Sequence, residues 1–222
     1  MNRGQHLLAI YEILNAHFGD LHWWPGDSAF EVIVGAILTQ NTAWRNVERA
    51  ISNLKLEGLL CPEGLLKIED RILADLIRQA GYYNIKTQRL KSFVRFLYEE
   101  YNGDLGNMFA EDLWYLRAKL LKVKGIGEET ADSILLYAGN KPIFIIDAYT
   151  RRILQRHDII QRDVTYEEIQ SLFMTHLPKS VPLYNQYHAL LVNTGKFFCN
   201  SDPRCDVCPL YTQSIKPIKS LC

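Results

Sequence analysis

The sequence carries no excess of charge of either sign. Twenty-five Lys and Arg stand against 25 Asp and Glu, so overall charge does not announce a nucleic acid, and any such contact must come from local clustering. No apolar run approaches the ~20 residues a membrane-spanning helix requires, and no leader precedes the first amphipathic stretch; no membrane partner and an intracellular location are expected. Alternation of apolar and polar residues never persists long enough to specify a sheet. Internal repeats and low-complexity tracts are missing. Cysteine is scarce until the end: of five, only Cys61 lies outside the last 24 residues, which argues against a disulfide framework and for a C-terminal metal site. Disorder is excluded by an apolar content of 48%, and 222 residues suffice for a buried core in one unit or two small lobes.

What remains is helical periodicity, and the class is all-α. Leu7, Ile10, Tyr11, Leu14 and Phe18 mark an N-terminal amphipathic helix. Ser28 and Glu31 form a capping-box pattern opening an apolar helix to Leu38. Thr42 can cap a helix to about Leu54; residues 65–79 and 85–101 continue the pattern, the latter stretch carrying Lys86, Arg89, Lys91 and Arg95. Thr165 and Glu168 repeat the capping box for a helix to His176, and 183–198 form the last helix.

One stretch stands apart: 122–132, Lys-Val-Lys-Gly-Ile-Gly-Glu-Glu-Thr-Ala-Asp. Gly125 and Gly127 sit between a leucine-spaced segment, 111–121, and a second helical segment, 128–137. Glycines there make a tight hairpin whose free N–H groups, added to the positive end of the second helix, can hold an anion. Lys122 and Lys124 add charge beside it. An ordinary helix–turn–helix corner would share this pattern. Asp147 adds to it, because it ends the apolar run 143–146 and opens the segment 148–154; it is a natural N-cap in its own right.

With hairpin, glycines, Thr130, Ala131 and Asp147 in this order, the chain resembles the helix-hairpin-helix DNA glycosylase superfamily, endonuclease III branch, from about His22 onward. The resemblance implies a DNA-repair enzyme acting, as a monomer, on damaged double-stranded DNA. It implies two helical lobes: 22–132 as a six-helix barrel lobe with the hairpin, and 1–21 with 133–222 as the second. Asp147 is then the catalytic carboxylate, stabilising the oxocarbenium-like sugar. Gln40 aligns with a side chain filling the gap left by a flipped base, and Tyr82 with a wedge. The hairpin glycines, Lys122, Lys124 and Lys196 would contact the DNA backbone. Where bifunctional members carry a Schiff-base lysine, this chain has Glu129, which cannot form an imine, so base release by water without strand scission is expected.

Trp23, Trp24 and Pro25, with Trp44 after Thr-Gln-Asn-Thr, are similar to the endonuclease-III-like 3-methyladenine DNA glycosylases. Electron-rich indoles attract cationic alkylated purines, although core packing between lobes is the competing reading for the tryptophans and explains Trp24 in particular nearly as well. An enzyme for oxidised pyrimidines or for uracil or thymine mismatched with guanine is the alternative, and a non-catalytic DNA-binding module the second alternative. Cys199, Cys205, Cys208 and Cys222 are similar to the family's 4Fe–4S loop, with a shorter first gap and a longer last one. Zinc on four thiolates, or structural cysteines with no metal, are the competing readings.

Overall fold

The structure, a computed structural model, describes residues 3–24 and 26–212. Pro25 and Cys222, both expected at functional positions, lie outside the described residues. Helix starts are set by short polar side chains that accept otherwise orphaned N–H groups. Ser28 accepts from Glu31, Asp104 from Gly106 and Asn107, Asp112 from Trp114 and Tyr115, and Ser180 from Leu183. Thr165 and Glu168 form the reciprocal box. The resulting helices are α1 (Arg3–Phe18), α2 (Ala29–Leu38), α3 (Trp44–Leu56), α4 (Pro62–Lys67), α5 (Asp70–Leu76), α6 (Tyr83–Tyr101), α7 (Leu105–Ala110), α8 (Leu113–Leu120), α9 (Glu128–Ser133), α10 (Ala148–Arg156), α11 (Tyr166–His176), α12 (Val181–Phe197) and α13 (Pro209–Thr212). There is no strand among the described residues.

Several expected helices differ in detail. Residues 65–79 are not one helix, because Ile68 is extended (φ −61°, ψ 144°) and splits the stretch into α4, α5 and a 3-10 turn, Arg78–Ala80. Thr42 does not cap α3; Ala43 holds the N-cap position without a side-chain bond. The capping box at Ser28 is shifted, since the Glu31 carboxylate accepts from Asp27 N–H and binds Lys55 (2.8 Å). Beyond α9 the backbone widens into a π turn, Ile134–Ala138, and a regular helix does not reach Tyr137.

The chain divides into two units, Met1–Trp23 with Pro142–Cys222, and Trp24–Lys141. The break after the hairpin thus falls at Lys141, later than 132, because the π turn packs on α2 and Lys141 ties its backbone N–H to Leu135 and its ammonium to the Glu111 carbonyl. In the first unit, Phe144 stacks on Phe173 (centroids 3.9 Å apart), Tyr184 and Tyr187 meet them edge-on, and the Tyr187 hydroxyl donates to the Leu7 carbonyl (2.7 Å). Burying each such ring contributes roughly 2 kcal/mol before packing terms.

The second unit is built round α2, buried from Phe30 to Leu38. Its hairpin helices α8 and α9 are joined by a buried bidentate pair: Arg117 donates to both Asp132 oxygens, at 2.7 and 3.2 Å, and Asp132 is fully buried. Removing one partner strands the other charge away from water. Asp132→Ala should therefore lower unfolding free energy by about 3–5 kcal/mol in urea titration; a loss below ~1 kcal/mol, the value of an exposed pair, would show that the pair does not hold the hairpin.

Candidate functional site

The hairpin turn owes its shape to one glycine. Gly125 sits at φ +92°, and a Cβ there would lie 2.3 Å from Cγ of Arg89. No other side chain fits that backbone beside that neighbour. Gly127 is different: its φ is −94° and a Cβ would meet nothing within 4 Å. It opens α9 without a side-chain cap, so the first N–H groups of that helix stand beside open space. Lys122 and Lys124 are exposed and line a shallow depression with Arg95. Lys119, by contrast, is bound by Glu111 (2.9 Å) and Glu100 (3.1 Å).

Gln40 does not project freely from its loop. Its amide nitrogen donates to the Gly125 carbonyl (3.1 Å) and to the Thr130 hydroxyl (2.8 Å), while its oxygen accepts from the Arg89 guanidinium. The gap-filling candidate and the hairpin are thereby one hydrogen-bonded piece. Tyr82 is 68% exposed and left-handed (φ +45°), a backbone state that is uncommon for a bulky residue. Glu129 is exposed on the first turn of α9.

Trp24 and Trp44 come together edge to face at 5.1 Å, and Tyr137 stacks on Trp24 at 4.7 Å and 18°. Gly35 of α2 provides the floor, where a Cβ would touch both indoles. Tyr137 escaped sequence reading because it lies in what looks like the tail of α9; the π turn carries it to Trp24. Such turns are frequent at functional sites.

Trp23 belongs to the first unit, with the Lys196 ammonium over its ring at 5.4 Å. Asp147 caps α10: Oδ1 accepts from Thr150 N–H (2.7 Å), while Oδ2 faces His188 Nε2 at 3.7 Å. Its side chain is 9% exposed. Burial pushes the pKa of His188 below the usual 6.5, against the pull of Asp147, and Lys196 lowers it further. Burial also lowers the pKa of Lys196, which Asp147 raises in part. Lys196 thus stands with the carboxylate and an indole. The one sequence signal for His188 was a histidine on an apolar helix, two turns before Lys196. Arg151 and Arg152, which flank the cap, are turned to backbone carbonyls of Val164, Cys199 and Gly195.

Cys199, Cys205 and Cys208 line one small cavity with Arg156, His157, Phe198 and Tyr211. The Arg156 guanidinium reaches Cys199 Sγ (3.2 Å), and Cys208 Sγ accepts backbone N–H groups of Leu210 and Tyr211. Burial raises the pKa of the Cys208 thiol, and Cys199 adds to that. Among the described residues no group of three or more His, Cys, Asp or Glu is already arranged as a metal site. Cys199 and Cys208 are free thiols, whereas Cys205 is disulfide-bonded. With that bond reduced, three sulfurs around one cavity, with an arginine and two amides to offset thiolate charge, fit a thiolate-bound group whose remaining ligand would come from outside the described residues. Cys61 is exposed and accepts from Gly64 N–H at the start of α4.

The family model described as HhH-GPD superfamily base excision DNA repair protein matches residues 34–179. A protein of Methanocaldococcus jannaschii, provisionally assigned as a DNA repair glycosylase, is 46% identical over 94% of this chain and 96% of its own. Endonuclease III of Thermotoga maritima is 29% identical over 81% of this chain and 79% of its own. The crystal structure of H. pylori 3-methyladenine DNA glycosylase bound to 1,N6-ethenoadenine superposes with a TM-score of 0.75 at 26% identity, covering 88% of this chain and 98% of that one. A trapped endonuclease III–DNA covalent intermediate gives 0.80 at 22% identity over 95% and 94%, a likeness of fold.

The buried imidazole makes stability depend on pH. With the folded-state pKa of His188 below 6.5, the unfolded chain takes up that proton first as pH falls. Stability from the neutral ring is complete above 6.5 and is lost from there down to the folded value. Denaturant unfolding at stepwise pH between about 7 and 5 should show this decline, and His188→Gln should flatten it; an unchanged slope in the variant would assign the decline elsewhere.

Proposed function

The chain belongs to the HhH-GPD superfamily of base excision DNA repair proteins and is endonuclease III-like, and from that membership we propose that it is a monofunctional DNA glycosylase for alkylated purines of the 3-methyladenine type. Asp147 carries the proposal. It stands where the superfamily pattern puts a catalytic carboxylate, is nearly buried, and has one oxygen committed to Thr150 N–H while the other is not used in capping.

In the proposed mechanism the hairpin amides after Gly125 and Gly127, with Lys122 and Lys124, grip backbone phosphates of damaged duplex DNA. The damaged base leaves the stack; Gln40 occupies the gap and Tyr82 props the opposite strand. As the N-glycosidic bond lengthens, positive charge grows on the sugar. The Asp147 carboxylate stabilises that charge and orients water for attack. The neutral ring of His188 keeps a second positive charge away from the carboxylate, while Lys196 and Trp23 complete its surroundings. Glu129 offers no amine, so the sugar is not captured covalently. Trp24, Trp44 and Tyr137 support the substrate class, since electron-rich faces favour a cationic purine. A cationic base is also a good leaving group. Support comes as well from the likeness to the H. pylori 3-methyladenine DNA glycosylase.

Cys199, Cys205 and Cys208 would hold a 4Fe–4S cluster, with Cys222 as the fourth ligand. Its chemistry there is structural, fixing the loop that follows α12. Arg152 and Arg156 brace that loop from α10 through Cys199 and Asn200. Protein purified without oxygen should be brown, with absorbance near ~400 nm that Cys208→Ala abolishes; zinc in elemental analysis with no such band would replace iron in the proposal.

Duplexes each carrying one lesion, scored with and without alkali, test the activity. Release of methylated purines with breaks only after alkali is the expected result, and Asp147→Asn should slow it by about a hundredfold or more while leaving DNA affinity intact. Breaks without alkali would contradict the role given to Glu129. Release of mismatched uracil or thymine but not of methylated purines would move the assignment to a mismatch enzyme.

A further inference from the structure

Lys86 is 1% exposed, inside the second unit. Its ammonium donates to the carbonyls of Leu38 and Ala80, both at 2.7 Å. Leu38 is the last residue of α2 and Ala80 the last of the 3-10 turn, so one cation closes the negative ends of two helical segments. From Leu38 the chain runs through Thr39 to Gln40 and then Asn41, left-handed at φ +55°. From Ala80 it runs through Gly81 (φ +68°) to Tyr82, also left-handed. The Lys86 backbone N–H bonds the Tyr82 carbonyl at 3.0 Å as well. One turn along α6, Arg89 holds the Gln40 side chain.

A leucine would fill this place without desolvating a charge. The ammonium is instead retained where burial and the charge of Arg89 push its pKa down to about 8. What the cation supplies, and an apolar side chain does not, is a fixed distance between two loops whose backbones both pass through left-handed conformations.

We propose that Lys86 is a positioning residue for base extrusion: its ammonium sets the separation and aim of the loops bearing Gln40 and Tyr82, so that the two side chains enter the duplex as one unit. This rests on the assignment of Gln40 as gap filler and Tyr82 as wedge. The loops are joined through backbone carbonyls, so the side chains can move into DNA while their anchors stay in place.

The test uses the full chain and a duplex with a tetrahydrofuran abasic analogue opposite 2-aminopurine, whose fluorescence rises when it is unstacked. Wild-type protein should raise the signal, and Gln40→Ala or Tyr82→Ala should each reduce it. Lys86→Met should bind the duplex, by anisotropy, yet lose most of the rise. Its base release should be slowed about tenfold more on a fully paired methylated duplex than on one with the lesion in a bulge, where no partner base must be parted. Equal slowing on both substrates would mark a merely structural role and overturn the proposal. Lys86→Arg keeps the cation but widens the bridge; it should melt near the wild type and lose part of the rise. A full rise from whichever variant folds overturns the proposal. No effect of Gln40→Ala and Tyr82→Ala would instead remove the insertion assignment itself, whatever the Lys86 variants do.

Discussion

The contact between the stem of Arg89 and the bare Cα of Gly125 is the constraint on which the second unit's functional surface depends. A hairpin can turn there only with positive φ, and α6 can approach it only where no Cβ intervenes. Because α6 comes so close, its guanidinium reaches Gln40, and Gln40 in turn reaches the Gly125 carbonyl and Thr130. The proposed phosphate grip and the proposed gap filler thus share one set of hydrogen bonds. The buried Arg117–Asp132 pair secures the same hairpin from behind.

In the first unit a single carboxylate caps a helix and is the proposed catalytic group. Asp147 begins α10 and is also the superfamily's candidate catalytic group. Capping immobilises it at no added entropy, since Oδ1 is already held by Thr150. Placing His188 beside Oδ2 at 3.7 Å could have neutralised the carboxylate through an ion pair. Burial prevents this by keeping the imidazole uncharged. The same packing of α10 on α12 serves the cysteine loop, because Arg152 and Arg156 leave the helix that Asp147 starts and end on Cys199 and Asn200.

Helix starts were legible because their caps are short polar residues at fixed offsets, as at Ser28 and Thr165. The hairpin was legible because its backbone demands glycine. The break at Ile68 was not, since an isoleucine in extended conformation leaves no mark in a periodic apolar pattern. Nor were Arg89 and Lys86 as organisers of the surface: both read as solvated charges on a long helix, and only tertiary packing turns them inward. Trp24 and Trp44 could be grouped from their neighbours in sequence, whereas Tyr137 depends on a local change of helical pitch that residue types do not encode. Arg152 shows the opposite failure, a basic residue near the proposed catalytic carboxylate that is bound to backbone carbonyls.

That change of pitch has an evolutionary corollary. The π turn at Ile134–Ala138 holds one residue more than an α-helical turn would. Deleting a single residue there would restore the regular spiral and change the angle at which the tyrosine meets its indole. The geometry of the aromatic cluster can therefore be altered by a one-codon change in length, with every aromatic residue still encoded, so under the proposed role of the cluster a descendant of altered base selectivity is reached through an indel in this segment as well as through a substitution.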